Sequence, residues 1–119
     1  MSDVTYPRIM CATDKPLLWL HGMVKSPPLS AQGRLDAGVL LRRLQQGARL
    51  PMPLSRPLPS LGARCHELRL GDAGGIWRLI YRVDEDAIVI LDVFQKKTTT
   101  TPQHVINACR QRLRAYDAQ

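Results

Sequence analysis

No stretch of the chain approaches the roughly 20 consecutive apolar residues that a membrane span requires. The opening run "MSDVTYPRIMCATDK" lacks the apolar core of a secretory signal, so none is expected. Cysteine is sparse: Cys11, Cys65 and Cys109 are odd in number and form no C-x-x-C pair. That excludes a disulfide framework and fits reduced thiols in a cytoplasm. The three histidines, His21, His66 and His104, are scattered, and Cys65 and His66 are adjacent rather than spaced as zinc ligands. No metal site is expected. The glycine-rich run "GDAGG" leads into a strand-like segment, whereas a phosphate-cradling loop opens a helix. It reads as a hairpin turn, and no cofactor is expected. No Ser-His-Asp or Cys-His arrangement can be argued. Acidic residues are also few, with 10 Asp plus Glu against 17 Lys plus Arg, for a net charge of +7.

A domain this basic meets a polyanion or an acidic partner, or else carries a surplus of solvated arginine. The 119 residues are 45% hydrophobic and 23% charged, which is ordinary globular composition for one domain. Residues 1–14 show no periodicity and read as a loose tail, leaving 15–119 as the single domain.

Within it, "PLLWLH" (16–21) is a short apolar run that fits a first strand. Ser30 is a suitable N-cap for a helix over 31–46, closed by Gly47. Ala37, Leu40, Leu41, Leu44 and Ala48 recur at helical spacing and should face the core. "LPMPLSRPLPSLG" carries four prolines and reads as an extended connector. Three strand-like runs follow, over 66–70, 76–83 and 87–94. Their short connections favour an antiparallel meander. Thr101 is a candidate N-cap, with Pro102 at the first position of a last helix running to about Tyr116. Its stripe Ile106, Cys109, Leu113 and Tyr116 should be buried.

Alternation along the strands puts Leu68, Leu70, Trp77, Leu79, Tyr81 and Val83 on apolar faces, with Val89, Leu91 and Val93 as the apolar set of the third strand. The opposite face then collects Glu67, Arg69, Arg78, Arg82, Asp92 and Lys96, with Ile80 and Ile90 among them. On the bland reading this is the solvated face of a half-exposed sheet, with cross-strand ion pairs. Against it stands the mutual repulsion of four cations unless something anionic lies among them. A nucleic-acid backbone is such an anion. Phe94 offers a ring for base stacking, or else belongs to the core. With neither metal nor cofactor, chemistry falls to Arg, Lys, Glu and Asp. These suit in-line attack of an RNA 2′-hydroxyl on the neighbouring phosphate: a base takes the hydroxyl proton, cations stabilise the phosphorane, and an acid protonates the leaving oxygen.

The ordered series "LGARCHELRL…GIWRLIYRV…AIVILDVFQKKTTTTP" resembles the phage-derived HigB-like branch of the RelE/ParE toxin superfamily. In that branch an E-L-R strand, a W-R-x-x-Y-R strand and an F-x-K-K-T strand end follow one another, and a helix opened by Thr-Pro comes next. The resemblance covers about residues 16 to 116. It implies an α+β fold, a small antiparallel sheet with helices packed on one face. It also implies the toxin of a type II toxin–antitoxin pair, one that cleaves mRNA on the ribosome, without metal, by 2′-hydroxyl attack. The implied partners are a HigA-like helix-turn-helix antitoxin, the ribosome and mRNA.

By position, the resemblance makes Arg78 and Lys96 catalytic. Glu67 is either a general base or the residue that orients Arg78. Arg69, Arg82 and Lys97 become RNA-binding residues, with Phe94 beside them. One departure stands out. RelE-type toxins often carry a His or Tyr near the C-terminal end, where this chain offers lysines. A lysine is a poor base at neutral pH unless burial or nearby cations depress its pKa, so the base and the acid stay unassigned. Two alternatives share the fold: a non-enzymatic ParE-like toxin that poisons gyrase, and an inactive basic adaptor of phage origin.

Overall fold

The computed structural model describes residues 14–25, 28–72, 74–95, 97 and 99–119. The expected tail therefore lies outside the described residues except for Asp14. Seven elements follow in order: β1 (Leu17–Trp19), α1 (Ala31–Gln45), β2 (Ser55–Pro57), β3 (Cys65–Asp72), β4 (Gly75–Val83), β5 (Ile88–Gln95) and α2 (Gln103–Asp117). The class is α+β, as expected. Among the described residues, no helix is long and apolar enough to cross a membrane.

Ser30 caps α1 as its sequence position predicts. Its backbone is extended, and its hydroxyl oxygen accepts from the Gly33 N–H at 2.9 Å. Asp72 at the end of β3 then fixes the cap to the sheet. Its carboxylate accepts from the Ser30 N–H at 3.0 Å and from the Ser30 hydroxyl. Gly33 lies against that carboxylate, where a Cβ would come within 2.6 Å of Oδ1. Gly47, at φ +93°, supplies the left-handed residue that ends the helix.

The sheet has the order β1-β5-β4-β3-β2. The meander β3–β4–β5 is antiparallel, and β2 adds antiparallel to β3. At the far edge β1 pairs parallel with β5, Leu17 opposite Ile88, so the sheet is mixed rather than purely antiparallel. Strand β2 lies inside the four-proline connector. It is a three-residue edge strand, the one place in a sheet where Pro57 is tolerated.

The two helices lie on opposite faces of the sheet, and not together on one. Ala37, Leu41 and Leu44 of α1 pack with Leu68, Leu70, Leu79, Tyr81, Ile88 and Ile90. Val105, Ile106, Cys109 and Leu113 of α2 pack with Cys65, Ile80, Val89 and Leu91. A strand buried on both sides must be apolar on both sides, which explains the unbroken run "AIVIL".

A β-bulge separates the two halves of β5. Tyr81 opposes Ile90 while Ile80 opposes Asp92, leaving Leu91 as the extra residue. Leu91 and Asp92 consequently turn to the same side, toward α2. Ile90 belongs to the α1 core, not to the basic face where strict alternation put it.

Thr101 does not cap α2. The N-cap position is Pro102, without a side-chain hydrogen bond, and the Thr101 hydroxyl is turned to Glu67.

Candidate functional site

On the α2 side of the sheet, beyond the part the helix covers, three strands align their polar side chains in two rows. In the first row Arg56 of β2 opposes Glu67 of β3, and Glu67 opposes Ile80. In the second, Arg69 of β3 opposes Arg78 of β4, and Arg78 opposes Phe94 of β5. Register alone therefore brings together Glu67, Arg69, Arg78 and Phe94, four of the residues singled out in the sequence. Arg56 joins them, and sequence reasoning missed it. It lies in the proline-rich connector, and only the β2–β3 register reveals its place.

Glu67 is the anchor. It is 2% exposed, deep for a carboxylate. Its Oε1 lies 3.2 Å from Nε and 3.1 Å from Nη2 of Arg56, and 3.4 Å from Nε of Arg78. Its Oε2 accepts from the Thr101 hydroxyl at 2.6 Å. Arg56 also donates to the Thr99 carbonyl at 3.2 Å, which ties the segment after β5 to the sheet edge. A buried carboxylate needs such partners to stay charged.

Arg78 is only partly satisfied. Its side chain is 13% exposed, and Nη1 is buried without a hydrogen-bond partner among the described groups. Burial holds its pKa below the ordinary arginine value; Glu67 pulls it up, while Arg69 and Arg56 push it further down. Even so, an arginine stays protonated at any physiological pH. The result is a fixed, desolvated cation with donor capacity to spare and a second cation beside it. A cleft of about 280 Å³ opens over this group, lined by Met52, Pro53, Arg56, Glu67, Arg69 and Arg78. It is suited to an oxyanion with several acceptor oxygens.

The other expected residues are placed differently. Phe94 is half-buried and packs against the α2 core, as the core reading expects, and stands opposite Arg78 in the register. Lys97 is exposed. Lys96 lies outside the described residues.

Arg82 is not part of the cleft. Its guanidinium donates to both oxygens of Asp84, at 2.6 and 2.8 Å, and to both of Asp117, at 2.8 and 2.9 Å. It stands over the Tyr116 ring at 6.0 Å. These bonds fasten the end of α2 to the sheet, and they raise the Arg82 pKa further. Asp92 is likewise engaged, with Arg112 of α2 at 3.4 Å. Among the described residues, no group of three or more His, Cys, Asp or Glu is arranged to hold a metal ion.

Residues 28–114 match the family model described as phage-derived protein Gp49-like (DUF891). The match spans most of the chain, and the chain belongs to this family, which is associated with toxin–antitoxin systems. No curated protein matches the chain.

Proposed function

We propose that this member of the Gp49-like family is a type II toxin of the HigB-like kind, an endoribonuclease that cuts mRNA on the ribosome by 2′-hydroxyl attack. One observation carries the reading: the buried Nη1 of Arg78, without a hydrogen-bond partner among the described residues, set between Arg69 and the Glu67 anchor at the floor of an open cleft. A cation held in that state is short of an anion, and a phosphodiester supplies one.

In the reaction the 2′-hydroxyl gives up its proton to solvent water, its oxygen bonds to phosphorus, the bond to the 5′-oxygen breaks as that oxygen takes up a proton, and a 2′,3′-cyclic phosphate remains. The phosphorane between these states carries one more negative charge than the substrate. Arg78 meets that charge with a donor that is already fixed and desolvated, where its stabilisation is largest, and the exposed Arg69 beside it adds a second cation. Glu67 keeps Arg78 in place. With two guanidinium groups and a hydroxyl against it, it is better arranged to hold cations than to accept a proton. Lys96 and Lys97 follow the last residue of β5 in the chain. Side chains that only donate, they suit protonation of the leaving 5′-oxygen better than abstraction of a proton. Phe94, opposite Arg78 in the register, offers its ring to a base beside the reacting phosphate.

The proposed partner is a helix-turn-helix antitoxin encoded next to this chain. Induced expression with and without that neighbour tests the reading. Growth arrest, with new mRNA ends inside translated codons, is expected without the neighbour, and neither is expected with it. Intact mRNA together with inhibited gyrase would establish the ParE-like alternative instead.

A further inference from the structure

A cavity larger than the Arg78 cleft lies on the other face of the sheet. It measures about 680 Å³ and opens between the end of α1, the loop over 47–52 and the exposed ends of β2, β3 and β4. Sites of this size hold small organic ligands. We infer that this pocket binds a small phosphate-bearing ligand with a flat heterocyclic ring, of the mononucleotide class, separately from the Arg78 cleft. The inference does not depend on the proposed nuclease activity.

Three features of the pocket point to that ligand. The first is charge. Lys15, Arg49 and Arg64 line it, and none of its described lining residues is acidic. Arg64 shares its guanidinium with Asp84 at 2.9 Å, whereas no ion pair engages Arg49 or Lys15 among the described residues. The nearby end of α1 adds a partial negative charge of about one half, which these cations outweigh.

The second is a ring wall. His66 stacks on Tyr81 with centroids 5.4 Å apart and planes 19° from parallel. Tyr81 is buried and His66 half-buried, so a ligand ring laid on the outer face of His66 continues the stack.

The third is the floor. The hydroxyls of Ser55 and Tyr81 share one hydrogen bond of 2.7 Å, and both residues are buried. Two hydroxyls bring two protons, and a bond between them uses one. The remaining proton has no acceptor among the described residues. Burial also pushes the Tyr81 pKa up, so the phenol stays a donor. A ring nitrogen or carbonyl oxygen of a heterocycle is the acceptor that completes the floor. An acidic peptide would use the cations but leave the ring wall and the surplus proton unmatched.

Calorimetric titration of the full chain with guanosine and adenosine 5′-monophosphates tests the inference, with inorganic phosphate and a glutamate-rich peptide as comparison probes. The His66 imidazole signals are followed by NMR alongside. At least one mononucleotide should bind and shift the His66 signals. Arg49→Ala should weaken binding about tenfold, as loss of one charge-assisted contact does. Arg49 is exposed, so this variant keeps the fold. Arg78→Ala should leave the binding unchanged, because Arg78 belongs to the other face. Four outcomes would overturn the inference: no binding, phosphate binding as tightly as the mononucleotides, the peptide binding in their place, or loss of binding in Arg78→Ala.

Discussion

Arg69 and Arg78 stand directly opposite each other on β3 and β4, two arginines paired across neighbouring antiparallel strands. Like charges in that position oppose folding by roughly 0.2–1 kcal/mol. The pair is tolerated because Glu67 lies next along β3, buried and within 3.4 Å of the Arg78 Nε.

Replacing that anchor should therefore be costly. Glu67→Gln keeps the shape but leaves Arg56, Arg69 and Arg78 without a counter-charge. Removing one partner of a buried charge set costs roughly 3 kcal/mol. Urea denaturation of the variant and the parent measures the difference. A change below about 0.5 kcal/mol, the range of ordinary surface substitutions, would contradict the anchoring role.

The Arg82–Asp117 clamp has a pH signature. Hydrogen bonding to Arg82 is the main cause that holds the Asp117 carboxyl below its ordinary value of 3.8; slight desolvation opposes it, and the Arg82 and Arg64 charges add to it. A depressed carboxyl pKa stabilises the fold above the unfolded value, and that contribution fades as pH falls through the folded one. Asp117→Asn should lower the melting temperature at pH 7, and the gap from the parent should close as pH drops below 3.8 toward about 2. A gap that stayed constant over that range would mean the clamp contributes through shape rather than charge.

The described thiols should be inert in the native state. Burial first, and the Asp92 charge second, push Cys109 up to about 12. Burial also raises Cys65, against the opposing charge of Arg82. At pH 8 a thiol with a pKa near 12 is ionised in about one molecule in ten thousand. Iodoacetamide, read by mass spectrometry, should label Cys65 and Cys109 only after unfolding in urea. Native labelling of either within minutes would contradict the packing of α2 on the sheet.

Much of the frame was readable from local signals. Ser30 and Gly47 announced the limits of α1, and three apolar runs with short turns announced the meander. What failed depended on distant partners. "AIVIL" is apolar at every position because Val89 and Leu91 face α2 while Ile88 and Ile90 face α1, and a one-sided reading of the strand hid the second layer. The bulge at Leu91 reversed the alternation at Ile90, and no single residue in the run marks it. At the site, Arg69, Arg78 and Glu67 followed from strand alternation. Arg56 required the pairing of an edge strand inside a proline-rich stretch. Arg82 lies on the expected face but is taken up by two carboxylates, Asp84 two residues on and Asp117, 35 residues further along the chain, and the second of these is not visible locally. Thr101 looked like a helix cap because cap and carboxylate donor are the same residue type in the same place.

The central claim is that Arg78 meets the charge of a reacting phosphate. Its most direct test is cleavage of a defined mRNA on programmed ribosomes by the parent and by Arg78→Ala, with urea denaturation of both. Loss of one preorganised donor to a developing oxyanion costs about 100- to 1,000-fold in rate. A loss of that size is predicted in a variant that still unfolds cooperatively, since Glu67 retains Arg56 and Thr101 as partners. Cleavage at the parent rate by a folded Arg78→Ala would contradict the claim.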